Sequence, residues 1–214
     1  MPQVQLKSAE IARLAGEISR GGVVAFPTET FYGLAVNPFV EGALDRLFTL
    51  KQRPREKPVL VLIDDPARID ELVLRVPPLY KTLMSRFWPG PLTLIFQAQP
   101  EMPRLLCDTQ GTIGIRLSSH PLACRLAAAA GGVITGTSAN PGGSPAAINR
   151  NEVQAFFPEG LAGILDGGEA AGGLGSTIVS EKDGGLRLIR SGAIPFSEVL
   201  AAVAAAEYPE RADA

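Results

Sequence analysis

The chain has 214 residues, of which 46% are hydrophobic and 20% charged, and these proportions predict one folded domain rather than a disordered chain. Lysine and arginine number 20 against 22 acidic residues, and the net charge of −2 excludes binding of nucleic acid through bulk charge. The apolar stretches are far shorter than the ~18 residues of a membrane helix, and the first residues lack a secretion signal, so we expect a cytoplasmic protein without a membrane partner.

The cysteines and the single histidine exclude several kinds of site. Cys107 and Cys124 form no CxxC pair, and a structural zinc site needs about four cysteine or histidine ligands. A catalytic triad would have to use His120. Because His120 directly precedes Pro121, a residue favoured in the first turn of a helix, we predict that His120 begins a helix. We predict no metal site made of protein ligands.

Helical and strand patterns alternate along the chain. The first helix is predicted from the apolar face formed by Ile11, Leu14 and Ile18. Helices are predicted at 9–20, 41–50, 66–75, 78–87, 121–130, 149–156 and 196–206. Strands are predicted at 23–26, 59–63, 92–97, 112–117, 133–136, 163–166, 176–180 and 186–190. This order predicts a single α/β domain with helices packed on a mixed sheet.

The C-terminal part of the chain gives two further predictions. Short strands separated by glycine-rich turns favour antiparallel pairing in the last third of the chain. The final polar residues, 207–214, are predicted to form a disordered tail.

The first polar segment that could carry chemistry follows the strand at 23–26. Thr28 and Thr30 would emerge at the end of that strand, where α/β proteins usually form their sites. A threonine in such a place also commonly caps a helix. The residues alone leave both interpretations open.

A dense basic cluster follows the second predicted helix. Residues 45–57 contain Arg46, Lys51, Arg53, Arg55 and Lys57 against Asp45 and Glu56. Pro54 and Pro58 stiffen this loop, so its cations can be held toward a ligand. The pattern favours a phosphate site over a solvated charged loop.

The strand at 112–117 places Thr112, Gly114 and Arg116 on one face because side chains alternate along a strand. An arginine is costly to bury without an anion. A substrate carboxylate or an internal aspartate would each satisfy Arg116.

A polar loop follows the strand at 133–136, with Ser138 and Asn140 among glycines and prolines. Its backbone N–H groups and these side chains suit contacts with a phosphate or a base, although many loops of this composition are plain turns. The chain has no GxxxxGK[ST] and no GxGxxG before a helix, which excludes a P-loop and a dinucleotide fingerprint.

Taken together, these segments resemble the YrdC/TsaC family of threonylcarbamoyl-AMP synthases. The strings that carry the resemblance are, in chain order, FPTETFYGL, KQRPREKP, GTIGIRL, TSANPGGSP, STIV and LIRSGAI. They fall within residues 8–200. The resemblance implies one YrdC-like α/β domain over this range, with a twisted open mixed sheet and a concave, positively charged groove, in the short single-domain form of the family.

The resemblance implies a nucleotidyltransferase that joins L-threonine, bicarbonate and ATP into threonylcarbamoyl-AMP and releases pyrophosphate, with Mg²⁺ accompanying the ATP. The product would supply a tRNA threonylcarbamoyl transferase complex acting at adenosine 37, and a weak contact with tRNA fits this role. An enzyme that carbamoylates another acceptor and a non-catalytic RNA-binding module of the same fold are the alternatives. The net charge counts against the RNA-binding module.

The resemblance also assigns residues. L-threonine contacts fall on Thr30, Arg116, Ser138 and Ser176. ATP contacts fall on Lys51, Arg53, Lys57, Thr112, Asn140 and Arg190. Lys51 and Arg53 are the expected catalytic residues, because phosphoryl transfer of this kind needs positioning and positive charge rather than a protein nucleophile. Four residues depart from the family pattern, namely Lys57, Leu62, Thr137 and Ser191. Because leucine is apolar, we expect the threonine site to lack a polar group at Leu62.

Overall fold

The structure, a computed structural model, describes residues 2–207. Its helices are α1 (Pro2–Ser19), α2 (Ala43–Lys51), α3 (Ile69–Leu72), α4 (Pro78–Phe87), α5 (Pro121–Ala129), α6 (Arg150–Phe156) and α7 (Phe196–Glu207). Its strands are β1 (Val24–Pro27), β2 (Tyr32–Ala35), β3 (Val61–Ile63), β4 (Leu92–Gln97), β5 (Thr112–Arg116), β6 (Val133–Thr135), β7 (Thr137–Ser138), β8 (Gly163–Ile164), β9 (Thr177–Lys182) and β10 (Gly185–Arg190).

Every predicted helix and strand has a counterpart, but the first helix begins at Pro2 instead of residue 9, and the segment at 66–75 is wrong in its extent. It forms a 3-10 turn at Pro66–Arg68 and the single turn α3. The chain then leaves the helix because Leu74 N–H donates to the Gln97 carbonyl and the Val73 carbonyl accepts from the Gln99 side chain. Pairing with the end of β4 therefore ends the helix early.

Two short strands, β2 and β7, were not predicted. β7 has only two residues, too few for alternation to be visible in the sequence. His120 caps the start of α5, in line with the predicted helix entry, and its Nδ1 accepts from the Leu122 N–H. The tail predicted at 207–214 lies, beyond Glu207, outside the described residues.

The strands form two mixed sheets. This confirms the mixed α/β class, although the sequence predicted a single sheet. The four-stranded sheet has the order β7-β2-β1-β8, and the six-stranded sheet has the order β10-β9-β4-β5-β3-β6. β9 and β10 pair antiparallel, as predicted for the last third of the chain, while β9 runs parallel to β4. No helix in the described range is long and apolar enough to cross a membrane.

The two sheets meet where β6 passes into β7. Thr135 binds across this junction: its hydroxyl accepts from Val36 N–H and donates to the Leu34 carbonyl. The next residue, Gly136, has no room for a side chain, because a Cβ there would lie 2.7 Å from Leu62 Cγ. This close approach carries the chain from one sheet to the other within a single residue.

The six-stranded sheet buries one face and presents the other to a groove. On the buried face, Leu94 of β4 and Ile115 of β5 are 0% exposed, and Tyr80 of α4 packs edge-on against Phe96 with ring centroids 4.9 Å apart. The alternate residues face the groove: Thr93, Ile95, Gln97, Thr112, Gly114 and Arg116. The predicted common face of Thr112, Gly114 and Arg116 is thereby confirmed.

Candidate active site

A groove of about 910 Å³ is lined by residues of both sheets. Its cations are Arg53, Arg75, Arg116, Lys182, Arg187 and Arg190, and its acids are Asp108 and Glu181. The volume is typical of a small-molecule site. Because the whole chain carries a net charge of −2, this concentration of cations makes the groove suitable for an anionic ligand.

The structure brings eight of the ten residues assigned from the sequence into the groove wall. They are Thr30, Arg53, Thr112, Arg116, Ser138, Asn140, Ser176 and Arg190. Lys51 and Lys57 are not in the wall. The Lys57 side chain is exposed. Its backbone carbonyl accepts a hydrogen bond from Arg53 Nε at 2.7 Å and so helps to position that arginine. Leu62 is buried among apolar side chains and also lies off the groove wall.

Lys51 differs from the sequence prediction, which placed it in a loop with its charge toward the ligand. It is the last residue of α2 and only 3% exposed. Its ammonium donates to the Ser138 carbonyl, to the Asn140 carbonyl at 2.7 Å and to Asn140 Oδ1 at 3.4 Å. Lys51 therefore holds the loop that carries two groove residues. Burial, and to a lesser degree the charge of Arg53, lowers the pKa of Lys51 from 10.5 to about 7.

The lowered pKa gives a prediction for Lys51→Met. Between pH 7 and pH 10.5 the unfolded state binds more protons at Lys51 than the folded state, so the free energy of unfolding of the wild type rises with pH in this window. This stabilisation is lost as the pH falls through 7. The variant lacks the titration, so the difference in free energy of unfolding between wild type and variant should grow by up to ~1.4 kcal/mol per pH unit.

Urea unfolding of both proteins at pH 7, 8 and 9 measures this difference. A constant difference across the three pH values would show that Lys51 keeps its ordinary pKa in the fold. Lys81→Met, at an exposed lysine of α4, provides the control for the replacement of a lysine by methionine.

Arg53 and Arg190 are held at the groove by backbone carbonyls. Arg53 donates to the carbonyls of Lys57 and Pro58, and Arg190 donates to the Ser176 carbonyl at 2.8 Å. Burial lowers the pKa of both arginines, and the charge of Arg190 lowers the pKa of Arg53 further. Two cations that disfavour each other's charge in this way are stabilised when an anion binds between them.

Arg116 pairs with an acid of the protein, which is a glutamate and not the aspartate expected from the sequence. Its Nη2 lies 3.2 Å from Glu29 Oε1, and the two side chains are 6% and 16% exposed. Ser118 Oγ holds the other carboxylate oxygen of Glu29. Yet Arg116 Nε and Glu29 Oε1 are buried without a hydrogen bond to any described residue, so the internal acid satisfies the guanidinium only in part.

Glu29 was missed in the sequence, although it stands between the two threonines of the first motif. Burial lowers the pKa of Arg116, Glu29 opposes this effect, and the charge of Arg190 adds to it. The available signal was a carboxylate next to residues predicted to line a site. Nothing in the linear order, however, placed it beside an arginine 87 positions later.

The Thr28–Thr30 segment forms a turn between β1 and β2, so the helix-cap interpretation is wrong. Thr28 Oγ1 donates to the Phe31 carbonyl at 2.7 Å and accepts from Thr30 N–H at 3.2 Å. The two threonine hydroxyls are 3.1 Å apart. This turn fixes Thr30 in the groove wall.

The loop after β7 is held by its own side chains as well as by Lys51. Ser138 Oγ donates to Asn140 Oδ1 at 2.6 Å, and Asn140 Nδ2 donates to the Ser144 carbonyl. The loop is therefore ordered before a ligand binds, which lowers the entropy lost on binding.

The groove offers little to a metal ion. No group of three or more histidine, cysteine or acidic side chains within the described range could hold a metal. Of the two acids in the wall, Asp108 accepts from the N–H groups of Gln110 and Thr112, and Glu181 lies 3.7 Å from Arg75. A divalent cation here would be held chiefly by a ligand's own phosphates.

Comparison with known proteins gives a consistent result. The Sua5/YciO/YrdC family model, described as telomere recombination, matches residues 17–192. A threonylcarbamoyl-AMP synthase of Bacillus subtilis is 36% identical over 203 residues, which are 94% of this chain and 58% of that protein. One from Stutzerimonas stutzeri is 34% identical over 184 residues, 86% of this chain and 95% of that protein.

A solved structure supports the same relationship. The crystal structure of Pyrococcus abyssi Sua5 complexed with L-threonine superposes with a TM-score of 0.85 at 33% identity, covering 95% of this chain and 61% of that one. The chain spans 57% and 58% of the length of the P. abyssi and B. subtilis relatives.

Proposed function

Because the chain belongs to the Sua5/YciO/YrdC family, we propose that it is a nucleotidyltransferase that makes threonylcarbamoyl-AMP from L-threonine, bicarbonate and ATP. The observation that carries the proposal is the arrangement of three arginines in one groove. Arg116 lies among hydroxyl-bearing residues, and Arg190 lies close enough to Arg53 and Arg116 to lower the pKa of each. The end of the groove at Arg116 suits an amino-acid carboxylate, and the end at Arg53 and Arg190 suits a nucleotide phosphate.

The reaction fits a site without a protein nucleophile. The amine of threonine, as R–NH₂, combines with bicarbonate to give the carbamate R–NH–COO⁻ and water. A carbamate oxygen then attacks the α-phosphorus of ATP, which forms the new P–O bond and breaks the bond to the β-phosphate, and pyrophosphate leaves. Arg53 and Arg190 are suited to stabilise the charge on the transferred group, and Arg116 to fix the amino acid for attack.

Mg²⁺ is proposed to enter with ATP. It would bridge the phosphates of the nucleotide and neutralise part of their charge. The side chains fit this role only indirectly, because the two groove acids are already bonded to backbone amides or to Arg75. We therefore assign no protein ligand to the metal.

The product would be a reactive acyl phosphate that an acceptor must take up. We propose that a tRNA threonylcarbamoyl transferase complex uses it for adenosine 37 of tRNA, in the cytoplasm, with at most a weak contact between this chain and tRNA. The RNA-binding alternative is disfavoured, because the cations lie inside a concavity of small-molecule size rather than spread over a face.

Pyrophosphate release from ATP tests the function. We expect release only when L-threonine and bicarbonate are both present. Serine should replace threonine with modest loss, since one methyl group contributes ~1–3 kcal/mol to discrimination. Release that continues unchanged when threonine is omitted would contradict the proposal and indicate an ATPase or a different acceptor.

A further inference from the structure

A buried hydroxyl pair on the floor of the groove joins Ser176, already assigned as a threonine contact, to Thr93, which has no assignment so far. Thr93 is 0% exposed and Ser176 is 2% exposed, and their hydroxyl oxygens are 2.8 Å apart. Both residues line the groove. Thr93 lies on the groove face of β4, next to Leu94, whose register partner is Ile115. It is therefore the neighbour of Arg116 across the β4–β5 ladder.

The hydrogens of this pair can be counted. Arg190 Nη2 lies 3.1 Å from Ser176 Oγ, and because a guanidinium only donates, Ser176 Oγ accepts there. Of the two hydroxyl hydrogens, one forms the bond between Ser176 and Thr93. The other has no protein acceptor among the described residues. Whichever hydroxyl donates to the other, one polarised O–H group remains for a ligand.

The remaining hydroxyl hydrogen suits a ligand atom that accepts a hydrogen bond and carries negative charge. A buried donor without a partner is destabilising, and such a donor binds a charged acceptor more strongly than a neutral one. The pair lies between Arg116, which suits the amino-acid carboxylate, and Arg190, which suits the α-phosphate. In the proposed reaction, the group between those two is the carboxyl group of the carbamate.

We propose that Thr93 and Ser176 form the subsite for the carboxyl group that comes from bicarbonate. This inference rests on the proposed function and adds Thr93 to the residues that contact the reacting atoms. It also narrows the role of Ser176, from a contact with L-threonine in general to a contact with the carbamate group. The hydroxyl pair holds one oxygen of the carbamate while the other attacks phosphorus.

Thr93→Val tests this subsite, because valine keeps the shape of the side chain and suits a strand but removes the hydroxyl. With ATP and threonine saturating and dissolved CO₂ removed from the buffers, we expect kcat/KM for bicarbonate to fall at least tenfold. Thr93→Ser should restore it to within about threefold of the wild type. Calorimetric affinities for threonine and ATP, each measured without bicarbonate, should stay within about twofold.

Ser180→Ala is the matched control, since Ser180 lines the same floor on β9 but its hydroxyl forms no hydrogen bond with any described residue. It should leave kcat/KM for bicarbonate unchanged. If Thr93→Val does not fold, judged by its melting transition, Thr93→Ala takes its place with the same expected loss and the same rescue by serine.

The outcomes separate the inference from the function on which it rests. An active wild type together with unchanged kcat/KM for bicarbonate in the valine variant would overturn the subsite and leave the synthase intact. Equal losses for all three substrates, without rescue by serine, would also overturn it and make Thr93 a structural residue. A wild type without threonine-dependent pyrophosphate release would overturn both.

Discussion

Replacement of Arg116 by alanine should weaken threonine binding by about ten- to a hundredfold and change ATP binding much less. A charge-assisted hydrogen bond contributes ~1.5–3 kcal/mol, and Arg116 keeps a buried Nε without a protein acceptor among the described residues. Arg116→Lys retains the charge but loses the fork that binds a carboxylate through two N–H groups, so it should recover only part of the loss. Calorimetric titration with each ligand measures the effect.

The ion pair with Glu29 complicates this test, because Arg116→Ala leaves a largely buried carboxylate without its cation. Removing one partner of such a pair is strongly destabilising. We therefore expect a lowered melting temperature for Arg116→Ala and a partial recovery in the double variant Glu29→Gln, Arg116→Ala. Threonine binding should remain weak in both. If the double variant regained wild-type threonine affinity, Arg116 would be a structural ion-pair partner and not a substrate residue.

The second large effect is expected for Arg53→Ala, which should weaken ATP binding by about ten- to a hundredfold and leave threonine affinity unchanged. Arg53 is fixed in the groove wall by two backbone carbonyls and faces the like charge of Arg190. A phosphate that binds both arginines forms a charge-assisted hydrogen bond with each of them. Replacing Arg53 therefore removes one of these hydrogen bonds. ATP titration at two salt concentrations measures both the loss and its electrostatic origin.

Arg55 is a matched control for Arg53, two positions away in the same basic cluster. Its guanidinium pairs with Asp45 and is 66% exposed outside the groove. Arg55→Ala should keep wild-type ATP affinity and, as an exposed pair, change the free energy of unfolding by less than ~1 kcal/mol. Wild-type ATP affinity in both variants would make the cluster a solvated charged loop.

Local patterns in the sequence were sufficient for much of the groove. Alternation along β5 placed Thr112, Gly114 and Arg116 on one face, and the structure confirms it, because side chains of a regular strand must alternate. The loop at Ser138–Asn140 was recognised because hydroxyl and amide side chains next to glycine and proline mark such backbone, whereas at Thr28–Thr30 the residues left a site and a helix cap open.

Arg190 shows where alternation fails. In β10, Leu188 pairs with Val179 but Arg190 pairs with Ile178, so Ile189 is an extra residue in the ladder. This bulge places Arg190 on the groove face, whereas strict alternation would put it on the same face as Leu188, toward the core. A bulge depends on the partner strand and leaves no clear mark in the sequence.

The amino-acid sequence by itself determined most of the elements, the mixed α/β class and eight residues of the groove wall, because these follow from local periodicity, turn chemistry and the family motifs. Only the tertiary structure decided three contacts. The Lys51 ammonium binds the Ser138–Asn140 loop, Glu29 pairs with Arg116, and the Thr93 hydroxyl is hydrogen-bonded to the Ser176 hydroxyl. Each of these contacts joins residues more than 80 positions apart. Their partners are set by which strands pair and by how the helix and the sheets pack against one another, properties that no local pattern contains.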